Sequence, residues 1–148
     1  MRILLIEDEI TKEQDILRYL RELNSETVVE VRRSITSGIA EIREKQYDYI
    51  LLDMSLPIYD NEDVHYVEDN EFETFGGNYV LDELDRIEYP VKVVVITAFD
   101  ILGEGQDRIE LTQVEKGLYE DYPDVFIGAV FYDASSVEWK NKLKEFLT

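Results

Sequence analysis

The residues of this chain best suited to chemistry stand at the ends of three short apolar runs. Ile3-Leu4-Leu5-Ile6 leads into Glu7-Asp8-Glu9, Tyr49-Ile50-Leu51-Leu52 into Asp53, and Val93-Val94-Val95-Ile96 into Thr97-Ala98. An unbroken Val/Ile/Leu run of this length reads as a strand buried on both faces, as in a parallel sheet covered by helices. Such open sheets bind ligands beyond the carboxyl ends of their strands, where the strand order reverses. Glu7, Asp8, Asp53 and Thr97 are therefore expected to converge on one site that handles phosphate.

The elements that must position them alternate along the chain. A first strand, Arg2 to Ile6, precedes a helix over Thr11 to Leu23, with Ile16, Leu17, Leu20 and Leu23 at helical spacing. Thr27 to Val31 reads as a second strand, and Ser34 as the N-cap of a helix carrying Ile35, Ile39 and Ile42. The third strand, Tyr49 to Leu52, ends at Asp53. After Gly76-Gly77, a short helix carries Val80, Leu81, Leu84 and Ile87, and Val91 to Ile96 forms the fourth strand. Ile109 to Tyr119 is weakly amphipathic, Pro123 stops it, and Val125 to Phe131 supplies the fifth strand. Ser135 and Glu138 have the spacing of a capping box for a last helix burying Trp139, Leu143, Phe146 and Leu147. Five strands alternating with five helices predict a three-layer, doubly wound α/β sandwich around a five-stranded parallel sheet.

The 148 residues suffice for one domain with its own core. Within it, 60–75 is an acidic insertion without Lys or Arg, and 99–124 is a lengthened connection. The 34 acids against 15 bases give a net charge of −19, which disfavours nucleic acid and anionic membrane surfaces as partners. No cysteine is present, which excludes disulfides and thiolate chemistry and suits a reducing compartment. No signal peptide precedes the first strand and no run approaches the ~20 apolar residues of a membrane span, so a cytoplasmic location is expected.

These motifs, in this order and spacing, resemble the receiver domain of bacterial response regulators, which has a flavodoxin-like fold. The carriers are Ile3 to Glu9, Asp48 to Pro57, the Gly76-Gly77 helix entry and Val93 to Ala98, so the likeness spans almost the whole chain. It implies that Asp53 accepts a phosphoryl group from a sensor histidine kinase or phosphotransfer protein. Glu7, Asp8, Asp53 and the backbone carbonyl of Ser55 would hold Mg2+. Thr97 would donate its hydroxyl to a phosphoryl oxygen, and the small Ala98 would leave the donor access. Three clustered carboxylates also repel one another, which itself calls for a cation. The protein would then be a stand-alone receiver that signals to a downstream protein effector, catalysing at most its own phosphorylation and dephosphorylation. Asp8 and Asp53 have a plainer alternative use as caps of the helices that follow them.

Two positions depart from the receiver pattern. Where receivers typically carry a Lys near the end of the fifth strand, this chain has Tyr132, and where they often carry a switch aromatic it has Ala129. Tyr132 is the residue expected beside the phosphoryl group, but a tyrosine brings no positive charge near neutral pH. Lys92, Arg108, Lys116 and Lys140 are the candidate replacements, all expected at the surface. The rival readings are a pseudo-receiver, an interaction module working without phosphorylation, and a Mg2+-dependent phosphatase of similar topology. The last is disfavoured because Ser55, not an acid, stands two residues after Asp53. His65, the one histidine, lies in the acidic insertion and is expected to be exposed.

Overall fold

The computed structural model describes residues 1–60, 72–73, 75–99, 101–102 and 109–147. Five parallel strands form its sheet: β1 (Arg2–Ile6), β2 (Val28–Arg32), β3 (Tyr49–Leu52), β4 (Lys92–Thr97) and β5 (Phe126–Phe131). Their spatial order is β2-β1-β3-β4-β5, the order of flavodoxin-like sheets. The order reverses between β1 and β3, so the residues following these two strands flank one crevice. Ile3 lies opposite Tyr49 and Ile6 opposite Leu52, which brings the two strand ends level. The Asp53 N–H donates to the Ile6 carbonyl at 3.1 Å and carries the alignment one residue further.

Helices α1 (Ile10–Leu23), α2 (Ile35–Glu44), α3 (Gly77–Arg86), α4 (Leu111–Asp121) and α5 (Glu138–Phe146) cover both faces. Alternate residues of the central strands supply two cores. Leu4, Ile6, Ile50, Leu52, Val93 and Val95 pack with α2, α3 and α4. Ile3, Leu5, Leu51, Val94 and Ile96 pack with Ile16 and Leu20 of α1 and Trp139 and Leu143 of α5. Burial on both faces explains why these strands read as continuous apolar runs. Besides the main sheet, two-residue antiparallel ladders join Leu56–Pro57 to Phe72–Glu73 and Ile101–Leu102 to Ile109–Glu110. Most of the acidic insertion, including His65, and Arg108 lie outside the described residues.

Local chemistry sets the helix starts. Ser34 caps α2, its Oγ accepting from the Ser37 N–H at 3.1 Å. The expected capping box at Ser135 does not form, and α5 starts at Glu138 after Val137. Asp133 takes both the N–H and the hydroxyl of Ser135, so Ser136 instead accepts from the Glu138 N–H, at 3.1 Å. At the sheet edge, two backbone groups of β5 are taken by side chains of α4. Glu115 accepts from the Ala129 N–H at 3.0 Å, and the Tyr119 hydroxyl donates to the Ile127 carbonyl at 2.8 Å. No helix among the described residues is long and apolar enough to cross a membrane.

Candidate metal and phosphoacceptor site

The strand ends bring Glu7, Asp8 and Asp53 together: one carboxylate oxygen from each lies within 4.8 Å of the others. Each is held differently. Glu7 is fully buried and its Oε1 accepts from the N–H groups of Asp8 and Glu9, at 3.1 and 3.0 Å. Asp53 is buried, and its Oδ1 accepts from the Met54 N–H at 2.8 Å. Asp8 is half-buried at the mouth. The helix-capping role falls to neither Asp8 nor Asp53. Glu9 caps α1, accepting from Thr11 N–H at 3.1 Å and Lys12 N–H at 2.7 Å, so capping this helix does not fall to Asp8. Behind Asp53, the start of α3 packs so closely that a Cβ on Gly77 would stand 3.0 Å from the Asp53 carbonyl oxygen and 2.8 Å from Met54 Sδ.

Thr97 ends β4 fully buried, its Oγ1 accepting from the Phe99 N–H at 3.2 Å. Ser55 sits half-buried on the turn two residues after Asp53. Tyr132 follows β5, and its N–H donates to the Thr97 carbonyl at 2.7 Å. Its side chain is committed to the helices: the hydroxyl donates to Asp15 of α1, and the ring meets Trp139 of α5 edge-on at 5.1 Å between centroids. Ala129 is buried in the sheet beside Val95.

The group that sequence reasoning missed is Lys12. It lies on the first turn of α1 and is only 2% exposed. Its Nζ is 2.5 Å from Glu7 Oε2, 3.5 Å from Asp53 Oδ1, and donates to the Ile96 carbonyl at 2.7 Å. The ammonium thus touches the ends of β1, β3 and β4 at once. Lys92 and Lys116 are exposed, and Lys140 rests over the rings of Tyr19 and Trp139, so none of them enters the site. A signal was present: Lys12 stands four residues before Ile16, continuing the stripe of Ile16, Tyr19, Leu20 and Leu23 that faces the sheet. Lysine's usual preference for water hid it.

Lys12 weakens the inference of a metal from carboxylate repulsion alone, since it already neutralises one charge. Three carboxylates against one ammonium still leave two negative charges, which matches a divalent cation. The electrostatics agree. Burial and then the facing Asp53 raise Glu7 to about 7 against the pull of Lys12, and burial and Glu7 raise Asp8 to about 6. Asp53 is also raised, by burial above all, despite Lys12 and the Met54 and Ser55 N–H groups. The contact with Lys12 Nζ engages one lone pair of Glu7 Oε2 and leaves it another to offer. This all-oxygen donor set fits Mg2+, which binds through few carboxylates and keeps water.

No protein-family model matches the chain. Over 144 residues it is 28% identical to the uncharacterized protein y4jR of Sinorhizobium fredii, covering 97% of the chain and 95% of that protein. It is 25% identical to the Detocs response regulatory protein DtcB of Enterobacter cloacae, over 100% of the chain and 99% of that protein. The receiver domain of sensor histidine kinase PA1611 from Pseudomonas aeruginosa, solved with magnesium in its active-site cleft, superposes with a TM-score of 0.59. That match has 17% identity and covers 99% of this chain and 93% of that one. The chain has the fold of a response-regulator receiver domain. Response regulator TrrA of Thermotoga maritima, in complex with Mg2+ and BeF, shares the receiver fold at a TM-score of 0.62 and 17% identity, covering 97% and 96% of the two chains. Within the receiver fold, the acids after β1 and β3 line the crevice where the strand order reverses.

Proposed function

We propose that this protein is a receiver in two-component phosphorelay signalling, accepting a phosphoryl group on Asp53 with Mg2+ held by Glu7, Asp8, Asp53 and the Ser55 carbonyl. The observation that carries this reading is the meeting of Glu7, Asp8 and Asp53 at the switch point of a receiver-type sheet, with Thr97 ending the adjacent strand. The similarity to a response regulatory protein over the full chain supports it. The phosphoryl donor is a sensor histidine kinase or phosphotransfer protein, the output is contact with a protein effector, and the setting is the cytoplasm.

Phosphoryl transfer asks a protein mainly for positioning and charge neutralisation. Met54 N–H fixes one oxygen of Asp53 and so orients the carboxylate for in-line attack. Bound Mg2+ would neutralise charge on the transferred oxygens. Thr97 Oγ1 supplies a hydroxyl donor from β4, and the residue after it, Ala98, keeps the approach open.

Incubation with Mg2+ and acetyl phosphate tests the reading. A mass gain of one phosphoryl group, abolished by Asp53→Asn, is expected. Magnesium binding without any adduct would overturn it in favour of an interaction module working without phosphorylation.

A further inference from the structure

We infer that Lys12 is the phosphoryl-binding cation of this site, and that Tyr132 is a positioning residue that orients it through Asp15. The inference rests on the phosphoacceptor reading of Asp53 and goes beyond it, moving the charge expected at the end of the fifth strand onto the first helix.

The placement of Lys12 has no adequate structural explanation. A buried ion pair is weak support for a fold, because the desolvation of both charges offsets their attraction. An apolar side chain would continue the stripe of α1 equally well. Instead an ammonium is held where three strands end, 3.5 Å from the carboxylate that would be phosphorylated. In the transfer, an Asp53 oxygen attacks phosphorus. The new O–P bond forms as the bond from phosphorus to the donor oxygen breaks, and acetate, for acetyl phosphate, leaves with the electron pair. No proton is gained or lost. The phosphoryl oxygens then carry more charge than the carboxylate did, and Lys12 exchanges its contact with Glu7 for them.

Tyr132 completes the arrangement. Its hydroxyl holds Asp15, three residues after Lys12 on α1, while its ring is backed by Trp139. On the other flank, Arg33 pairs with the buried Glu13 at 2.8 Å. These two contacts, on either side of Lys12 around the helix axis, fix the rotation of α1 that aims its ammonium into the crevice.

Beryllofluoride binding in the presence of Mg2+, read by tryptophan-independent calorimetry, separates the roles. Lys12→Met should retain Mg2+ and lose beryllofluoride affinity by tenfold or more, with partial rescue by Lys12→Arg. Tyr132→Phe should weaken beryllofluoride several-fold at unchanged Mg2+ affinity; a purely structural role would lower the melting temperature alone. Should Lys12→Met fail to fold, wild-type protein labelled with 15N at its lysine side chains serves instead. The Lys12 Nζ resonance must then shift on beryllofluoride addition while that of exposed Lys92 does not. Wild-type binding equalled by Lys12→Met, or an unmoved Nζ resonance, would overturn the assignment and leave Asp53 as phosphoacceptor. A wild type that takes up neither beryllofluoride nor phosphoryl would overturn the phosphoacceptor reading as well.

Discussion

Tyr132 and Asp15 are hydrogen-bonded across 117 positions of sequence, tying the end of β5 to the first helix. The contact commits the Tyr132 side chain to α1, so the position where a receiver would carry its lysine has a different job here. Asp15 is already there to receive any cation introduced at that place.

Tyr132→Lys is therefore expected not to improve the site. The new ammonium meets Asp15 first, and beryllofluoride affinity stays at or below that of the wild type. Titration calorimetry of the variant checks this, and a tenfold gain would mean that charge at the end of β5 is what the native site lacks.

Removing Lys12 should be costly in the metal-free protein and cheap in the loaded one. Breaking a buried ion pair by deleting one partner typically costs about 3–5 kcal/mol. Denaturant unfolding of Lys12→Met should show a loss of that order without Mg2+ and recovery of much of it at saturating Mg2+. An equal loss in both conditions would speak against a shared counter-charge role.

The raised carboxyls make the metal response depend on pH with a definite sign. Glu7 at about 7 and Asp8 at about 6 bind protons more tightly folded than unfolded. Their contribution to stability is present in full below their ordinary range and is lost as pH rises through these values. Mg2+ requires the ionised forms, so its stabilisation follows the opposite course. At one fixed Mg2+ concentration, the rise in melting temperature should be larger at about pH 8 than at about pH 5.5. A constant rise across that interval would contradict the assignment of these acids as ligands.

Two glycines should separate site from scaffold. At Gly77 a Cβ meets Met54 Sδ and the Asp53 carbonyl, so Gly77→Ala costs about 1–3 kcal/mol through overpacking and also displaces Asp53, weakening Mg2+ binding. At Gly128 a Cβ would overlap the Phe146 ring on the α5 side of the sheet. Gly128→Ala should lower stability comparably and leave Mg2+ affinity within about twofold. Melting curves with and without Mg2+ distinguish the two.

The sheet was legible because its central strands are buried on both faces, which leaves Ile3 to Ile6, Tyr49 to Leu52 and Val93 to Ile96 almost free of polar residues. The acids at their ends were legible for the same reason, as abrupt polar stops to apolar runs. Lys12 was not, because its meaning depends on how α1 is rotated against strand ends far away in sequence. Ser135 misled because Asp133 competes for its polar groups, a contest between neighbours that spacing does not rank. Tyr132 was placed at the correct strand end, yet only the position of Asp15 reveals where its hydroxyl points.

The side chains of Glu115 and Tyr119 have a consequence at the β5 edge of the sheet. By occupying the Ala129 N–H and the Ile127 carbonyl, they deny an incoming chain two of the hydrogen bonds through which it would extend the sheet beyond β5. A protein docking at that edge would have to read the relief of α4 and its side chains, by surface shape and charge rather than by borrowed main-chain pairing.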